Sequence, residues 1–512
     1  MSSTDMTFWQ ILQARAIQSP DKTWLIDQDG RRLTFAGFRD RAERVARGLL
    51  ALGMHPGATV AWQLPTRIET ALLMAALARL GVTQVPIVPL YREREVGFLL
   101  RTTRPAFVFT PGTWRGHDYA RMIAPLAQAL DPPPEMLTSC GTLPESDTGE
   151  LPPPPGDADA VRWIFSTSGT TADPKGVRHS DATLLAAARG MSEALQVRGD
   201  DVCSVNFPIA HSGGPVAMMS HLLGGNTAVL VEVFEPAAAV ALYREHGVTL
   251  AGTGLPFYLA YLAEQRRQPG IPIIPSLRLI TGGGGPKPPP VYAQVRAELG
   301  VPIAHAWGMT EAVVLAQNGP DDTDEQRMYT DGRPVRGAEI RILRDDGAIA
   351  GHDEEGEVQV RGPMLCKGYT DPALNRAAFT ADCWLRTGDL GRLRADGHLS
   401  VTGRIKDIVI RKGENISAAE VENVLFGHPA IAEVAVIGMP DPERGERACA
   451  VIVARGAAAP TLPDVVRACR EAGLPAFKIP EQVEIVDALP RNSMMKVRKD
   501  VLRASLSARP WP

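Results

Sequence analysis

Residues 166–177 read STSGTTADPKGV, placing five hydroxyl side chains, two glycines and one lysine within twelve positions. Glycines let the backbone approach an anion closely, hydroxyls donate hydrogen bonds to phosphate oxygens, and a lysine adds a point charge. The composition suits a triphosphate. A Walker loop would need Gly-x-x-x-x-Gly-Lys-Ser/Thr, but here Pro174 precedes Lys175 and Gly176 follows it, so the stretch is a phosphate loop of another kind. A second glycine run, TGGGGPKPPP at residues 281–290, lacks the Gly-x-Gly-x-x-Gly spacing and leads into prolines, which removes the support for a dinucleotide fold. Neither Gly-x-Ser-x-Gly nor His-Glu-x-x-His occurs in the chain, so serine hydrolase and zinc protease lose their usual handles. Any one glycine-rich loop taken alone is as readily a plain turn.

The elements that must position these loops are legible as two alternating hydrophobic periods. LTFAGFRDRAERVARGLLALG sets Phe38, Ala42, Val45, Ala46 and Leu49 on one helical face, with Thr34 as its cap. TVAWQLP then reads as a strand, IETALLMAALARLG as a helix, TQVPIVP as a strand, EREVGFLLRTT as a helix and AFVFTP as a strand. Repeated units of this length predict a largely parallel sheet covered by helices, an α/β architecture. Between Asp131 and Asp159 the proline runs DPPPEM and LPPPPGD predict a surface linker between subdomains. Near Arg404 a compact strand, turn and helix pattern begins, and Ser417 and Glu420 have capping-box spacing. The predicted division is a large domain over residues 1–403 and a small α+β domain over 404–512.

With 512 residues, more than one domain is expected. The hydrophobic share of 45% permits a large core, and a formal net charge of −4 gives no broad electrostatic reason to bind nucleic acid or an anionic membrane. A small-molecule partner is favoured. The six cysteines form no Cys-x-x-Cys pair, so they predict neither zinc nor a disulfide framework but thiols in a reducing compartment. The N-terminus has no basic segment followed by an apolar one, and no apolar run is long enough for a membrane span, which predicts a cytoplasmic protein.

Taken together, the loops carry a resemblance. STSGTTADPKGV, AWGMTEA (306–312), RTGDLGRL (386–393), GRIKDIVIRKGENI (403–416) and LPRNSMMKVRKDVLR (489–503) occur in that order, with GRPVRGAEIRI (332–342) and GPMLCKGYTDP (362–372) between them. From about Phe8 to Arg503 the chain resembles the adenylate-forming superfamily of acyl-CoA synthetases, peptide-synthetase adenylation domains and luciferase. Five ordered motifs are far more specific than any single one. The resemblance implies a large N-terminal domain of mainly parallel sheets flanked by helices and a small mobile C-terminal domain. It also implies a reaction in which the carboxylate of an organic acid attacks the α-phosphorus of ATP to give an acyl adenylate and pyrophosphate. The substrate is its own nucleophile, so the protein's contribution is positioning and charge neutralisation.

Residue by residue, the resemblance assigns Thr167, Ser168, Gly169, Thr170, Thr171 and Lys175 to the β- and γ-phosphates. Thr310 goes to the α-phosphate and Glu311 to Mg²⁺, for which hard oxygen ligands are suited. Gly283, Gly284, Trp307 and Gly308 border the adenine, Asp389 accepts the ribose hydroxyls and Arg404 lies nearby. Lys496 enters from the C-terminal domain as the main catalytic group, and Lys406 matches the hinge about which that domain rotates after adenylation. Lys412 and Gly413 line the channel for coenzyme A. Read without the family, Asp389 caps a turn, Trp307 belongs to the core and Lys496 is a solvated surface lysine. Two positions depart from the family pattern: Ala172 and Met495 stand where glycine is usual.

Amino-acid-activating members carry Phe-Asp at the pocket, whereas here Pro208 follows Phe207 in NFPIAHSGGPV. The anchor for a substrate ammonium is missing, which points to an uncharged acyl tail lined by His211, Gly213, Gly214, Gly254, Phe257 and Met309. His211 is read as either a gate or a satisfied interior histidine. The segment IVIRKGENISAAEVENVLFGHPAIAEVAVIGMPDPERGE is most similar to free-standing synthetases making coenzyme A thioesters of fatty, alicyclic or aromatic acids. The chain's end shortly after Lys496 is read as favouring coenzyme A over an attached carrier. A separate carrier protein as acceptor and a non-catalytic nucleotide-binding relative remain as alternatives.

Overall fold

The computed structural model describes residues 6–139, 141–167, 174–412, 414–456, 458–491 and 496–507. Two large sheets dominate. In the first, six strands run in the order Gly176–Ser180, Val161–Ser166, Thr83–Pro86, Thr59–Trp62, Phe107–Thr110 and Glu135–Thr138. All its pairings are parallel except the one between Gly176–Ser180 and Val161–Ser166. The second, nine-stranded sheet carries a parallel centre from Thr23–Asp27 to Ile303–Met309 and antiparallel pairs at both edges. This is the α/β arrangement the alternating periods predict.

The reason two sheets form one body lies in the helices between them. Ile68–Leu80 is buried along all thirteen residues, its two charged side chains Glu69 and Arg79 meeting Arg31 and Glu43, and Gly213–Gly224 is buried along most of its length, as expected of largely apolar helices. Their side chains join those of Phe8–Gln18, Phe35–Ala51 and Asp181–Ala194 in a single core that reaches strands of both sheets. Burial there removes large side chains such as Trp9, Trp24, Trp62 and Trp163 from water, each contributing on the order of 2–3 kcal/mol.

The segment predicted as a linker holds an element of its own. Glu135–Thr138 adds in parallel to Phe107–Thr110 as an edge strand, because the prolines flank these four residues and leave their amides available for the ladder.

A four-stranded antiparallel sheet follows, from Glu339–Leu343 through Gly356–Arg361 and Leu385–Leu393 to Leu399–Arg404. A single 3₁₀ turn, Ile405–Asp407, then leads into a five-stranded sheet that starts at Ile408 and has its own buried clusters. At its first helix, Ser417 Oγ accepts from Glu420 N at 3.3 Å, while the Glu420 carboxylate turns to Lys478 at 2.6 Å. The cap is therefore one-sided rather than the reciprocal box its spacing suggests. Of the described cysteines, Cys203, Cys366, Cys449 and Cys469 are buried and Cys383 is exposed. None of the helices among the described residues is long and apolar enough to cross a membrane.

Candidate active site

A cleft of about 1690 Å³ is walled by the nine-stranded sheet, the four-stranded sheet and the C-terminal segment. At one end the Leu385–Leu393 and Leu399–Arg404 strands set Asp389 opposite Arg404 in register. Arg404 Nε meets Asp389 Oδ1 at 3.0 Å, and the Trp307 indole N–H donates to Oδ2 at 2.9 Å. Both oxygens are oriented in advance, and a carboxylate keeps further lone pairs for two more donors. Gly283 and Gly284 form the neighbouring wall. Gly284 has φ +79, a left-handed turn that brings the backbone to within van der Waals reach of Lys496: a Cβ there would stand 3.8 Å from Lys496 Cε.

Glu311 is 8% exposed, and Tyr369 donates its hydroxyl to Oε1 at 2.7 Å. Burial, with the Glu311 charge adding, raises the Tyr369 phenol well above its usual range, so it stays a donor. The Lys175 ammonium lies 5.2 Å from the centre of the same ring. The chain around Tyr369 runs beside Gly176–Ser180, through Lys367 N to Arg178 O at 2.7 Å, Arg178 N to Gly368 O at 2.9 Å and Thr370 N to Gly176 O at 2.8 Å. Cys366 N closes the connection by donating to Glu311 O at 2.8 Å. His179 fixes the other side: its Nε2 lies 2.8 Å from Thr310 O and its Nδ1 2.9 Å from Thr183 Oγ1. Burial lowers this histidine to about 4, which keeps it neutral.

Glu311 fits magnesium as a lone protein ligand. Among the described residues no group of three or more His, Cys, Asp or Glu side chains converges, and Mg²⁺ is usually held by one or two carboxylates together with substrate phosphates and water.

Lys496 joins the two ends of the cleft. Burial lowers its ammonium to about 8; Arg404 and Lys406 add to that shift, while Asp389 and Glu311 oppose it. Burial also lowers His211 to about 4, with the Lys496 charge as the second cause. One ammonium is thus coupled to Asp389, Arg404 and Glu311 on one side and to a neutral histidine on the other. His211 Nδ1 is satisfied by Gly213 N at 3.2 Å, and its ring lines the cleft.

Gly213, Gly254, Phe257 and Met309 line the same end as His211. At Gly214 a Cβ would fall 2.0 Å from Ile209 O, so this glycine packs against a turn of backbone. Thr310, Trp307 and Gly308 line the cleft; Thr167 and Lys175 close the base of the phosphate loop, through Thr167 N to Lys175 O at 3.0 Å and Lys175 N to Thr167 Oγ1 at 3.2 Å, without lining it. Lys406 lies in the 3₁₀ turn, where burial lowers its ammonium. Lys412 is exposed, has φ +53 and donates its N–H to Arg444 O at 2.8 Å, away from the cleft wall. Ser168, Gly169, Thr170, Thr171, Ala172, Gly413 and Met495 lie outside the described residues.

Three positions that the hydrogen bonds tie to the cleft escaped the sequence reading. Tyr369 sits in a motif quoted for resemblance, and His179 lies two residues past the phosphate-loop motif, but their partners are 58 and 131 residues away. Lys287, within TGGGGPKPPP, donates to the carbonyls of Arg327, Met328 and Thr330 and so secures the loop that floors the nucleotide end. Burial lowers Lys287 to about 8, and burial together with the Lys287 charge holds His305 down at about 3.

The AMP-binding enzyme profile matches residues 12–370 and the AMP-binding enzyme C-terminal domain profile residues 420–496. A medium-chain fatty-acid–CoA ligase of Escherichia coli is 30% identical over 519 residues, covering 98% of this chain and 90% of that protein. A salicyl-AMP ligase / salicyl-S-ArCP synthetase of Mycobacterium tuberculosis is 33% identical over 524 residues, covering 98% and 91%. Among solved structures, an O-succinylbenzoate coenzyme A synthetase from Bacillus subtilis in complex with ATP and magnesium ion superposes with a TM-score of 0.83 at 29% identity, covering 97% of this chain and 99% of that one.

Proposed function

The chain belongs to the AMP-binding enzyme family, and from that premise we propose how its residues divide an ATP-dependent acid–thiol ligation between two half-reactions. It is an enzyme of the acyl-CoA synthetase type that uses ATP to activate a carboxylic acid as the acyl adenylate. The observation that carries the reading is the position of Lys496, which lines the same cleft as Asp389, Arg404 and His211 and lies against the Gly284 turn.

In the first half-reaction Asp389 accepts the ribose hydroxyls, with its oxygens oriented by Trp307 and Arg404. The wall at Gly283, Gly284 and Gly308 admits the adenine. Thr167, Ser168, Gly169, Thr170, Thr171 and Lys175 hold the β- and γ-phosphates, and Thr310 the α-phosphate. Glu311 would hold a magnesium ion, which would supply charge neutralisation to the phosphates. Lys496 donates to the oxygens shared between the acid and the α-phosphate, where charge builds as the carboxylate attacks. Tyr369 and His179 act as positioning residues for Glu311 and Thr310.

In the second half-reaction the thiol of coenzyme A attacks the acyl carbon and AMP leaves. We place the boundary between a domain of residues 1–403 and a mobile domain of 404–512, with Lys406 as the hinge. Rotation there withdraws Lys496 and brings Lys412 and Gly413 to a channel for the coenzyme A arm. The exposed, left-handed Lys412 supports a residue that works in a second orientation. A cytoplasmic setting accords with the supply of ATP and coenzyme A. The test is carboxylate-dependent release of pyrophosphate and AMP over a panel of acids, with and without coenzyme A. Pyrophosphate release without thioester in the presence of coenzyme A would favour a separate carrier protein as acceptor, the acceptor named for the salicyl-S-ArCP synthetase relative. Absence of acid-dependent pyrophosphate release with every acid would overturn the reading.

A further inference from the structure

The acid-binding end of the cleft extends well past His211. Gly213, Val216, Ala217, Ser220 and His221 all line it, a spacing of i, i+3, i+4, i+7 and i+8 that marks one stripe of the Gly213–Gly224 helix. The eight steps from Gly213 to His221 rise about 12 Å along the axis at 1.5 Å each. Met191 and Leu195, one turn apart, line the same cleft. No lysine, arginine, aspartate or glutamate occurs on the helix or on the Val202–Val205 and Leu250–Ala251 strands beneath it.

The far end is polar and incompletely satisfied. His221 is 6% exposed, and its Nδ1 lies 2.9 Å from Asn226 Nδ2. The same amide nitrogen lies 3.3 Å from Thr227 O and 3.2 Å from Cys203 Sγ. A carbonyl only accepts, which fixes the nitrogen as donor there; His221 Nδ1 is therefore the acceptor and Nε2 carries the hydrogen. Ser220 Oγ is paired with Ser192 Oγ at 2.6 Å, whereas His221 Nε2 has no hydrogen-bond partner among the described residues while its ring forms cavity wall. Burial lowers this histidine to about 4 against the opposing pull of Asp201, so the donor is neutral.

Resting on the acid-activating reading above, we infer that the native acid carries a neutral oxygen, as a hydroxyl, ketone or ether, about 12 Å beyond its carboxylate along the helix stripe, and that His221 Nε2 recognises it. A buried N–H with nothing to donate to disfavours a plain hydrocarbon end, and a site built to bond an oxygen rejects the analogue that lacks it.

The test compares octanoate, decanoate and dodecanoate with their ω-hydroxy counterparts by pyrophosphate release, in the full-length protein and in His221→Phe and His221→Gln. The wild type is expected to prefer the best ω-hydroxy acid over its parent by at least about tenfold in kcat/KM, largely through KM. His221→Phe should collapse that ratio to near one, and His221→Gln, which restores a donor, should recover part of it. A wild-type ratio near one at all three lengths overturns the inference even if His221→Phe fails to fold. An equal loss for both members of each pair in His221→Phe also overturns it, since a merely structural histidine would produce that. If the parent acids are adenylated and only the preference is absent, the general reading survives and this inference alone fails. If neither series releases pyrophosphate, this inference falls, and the general reading is decided by the wider panel of acids.

Discussion

The two ends of the cleft are built on opposite principles. At the end proposed for the nucleotide, charged and hydrogen-bonding side chains are tied to one another before any ligand arrives: Asp389 to Arg404 and Trp307, Glu311 to Tyr369, and the Thr310 carbonyl to His179. At the acid end, His211 and His221 are both held neutral by burial, and the helix stripe offers small or apolar side chains. A ligand of fixed structure rewards preorganised charge, since each oriented dipole acts on developing charge without further reorganisation. An acyl tail rewards shape. Lys496 is the point where the two principles meet.

The largest expected effect breaks that junction. Lys496→Ala should lower adenylation by about 10²–10³-fold, the cost of removing one donor aimed at transition-state charge, while thioester formation from a supplied acyl adenylate stays near wild type. Separate assays of the two half-reactions check this, and equal loss in both would refute the division of labour proposed for the rotating domain.

Next in size is the residue proposed to hold magnesium. Glu311→Gln removes the charge, and the expected result is a rise of tenfold or more in the Mg²⁺ concentration needed for half-maximal pyrophosphate release. Tyr369→Phe should move the same curve in the same direction by less, because it removes only the hydrogen bond that aims Oε1. Unchanged magnesium dependence in Glu311→Gln would remove the metal role.

A smaller effect is a pH limb. The Lys496 ammonium is charged below its value of about 8 and neutral above it, so kcat/KM for adenylation should fall as pH rises through that value, the limb reporting the free enzyme. Arginine stays charged over this range, and Lys496→Arg should flatten the limb even at reduced activity. The neutral histidines near 4 predict no inflection from His211 or His221 between pH 5.5 and 8 in the acid preference, roughly the span clear of their titration.

The sequence exposes these two ends unequally, for a physical reason. Helix Phe35–Ala51 with its Thr34 cap, accepting from Gly37 N at 3.0 Å, and helix Glu93–Thr103 follow from local periodicity and capping. The nucleotide end is carried by contiguous motifs, because a constant ligand fixes residue types at constant spacing, and Asp389 and Trp307 were readable as candidates even though their mutual bond spans 82 residues. Tyr369 and His179 were not, since their roles exist only through non-local bonds. Glu135–Thr138 was hidden because prolines on either side resemble a linker when the strand it joins is out of view. The acid end is harder still: His221 is one more polar residue in an apolar helix until the fold puts Asn226 on one ring nitrogen and cavity beside the other.

The smallest effect separates two adjacent glycines that sequence alone cannot tell apart. A Cβ on Gly213 would meet His211 Nδ1 at 3.4 Å and Phe207 at 3.6 Å, ordinary contact distances, whereas one on Gly214 would fall 2.0 Å from Ile209 O. Gly214→Ala must therefore displace backbone, and a loss of about 1–3 kcal/mol in unfolding free energy is expected from such overpacking. Gly213→Ala adds a methyl group next to Phe207 and His211 at almost no cost to the fold. Its expected signature is a change of a few-fold in KM for bulky relative to slender acids, a single-methylene effect, with KM for ATP and the melting temperature unmoved. Measured side by side, the pair tests whether the cavity runs over Gly213: an altered KM for ATP in Gly213→Ala would mean that the two ends of the cleft are not the separate regions their chemistry describes.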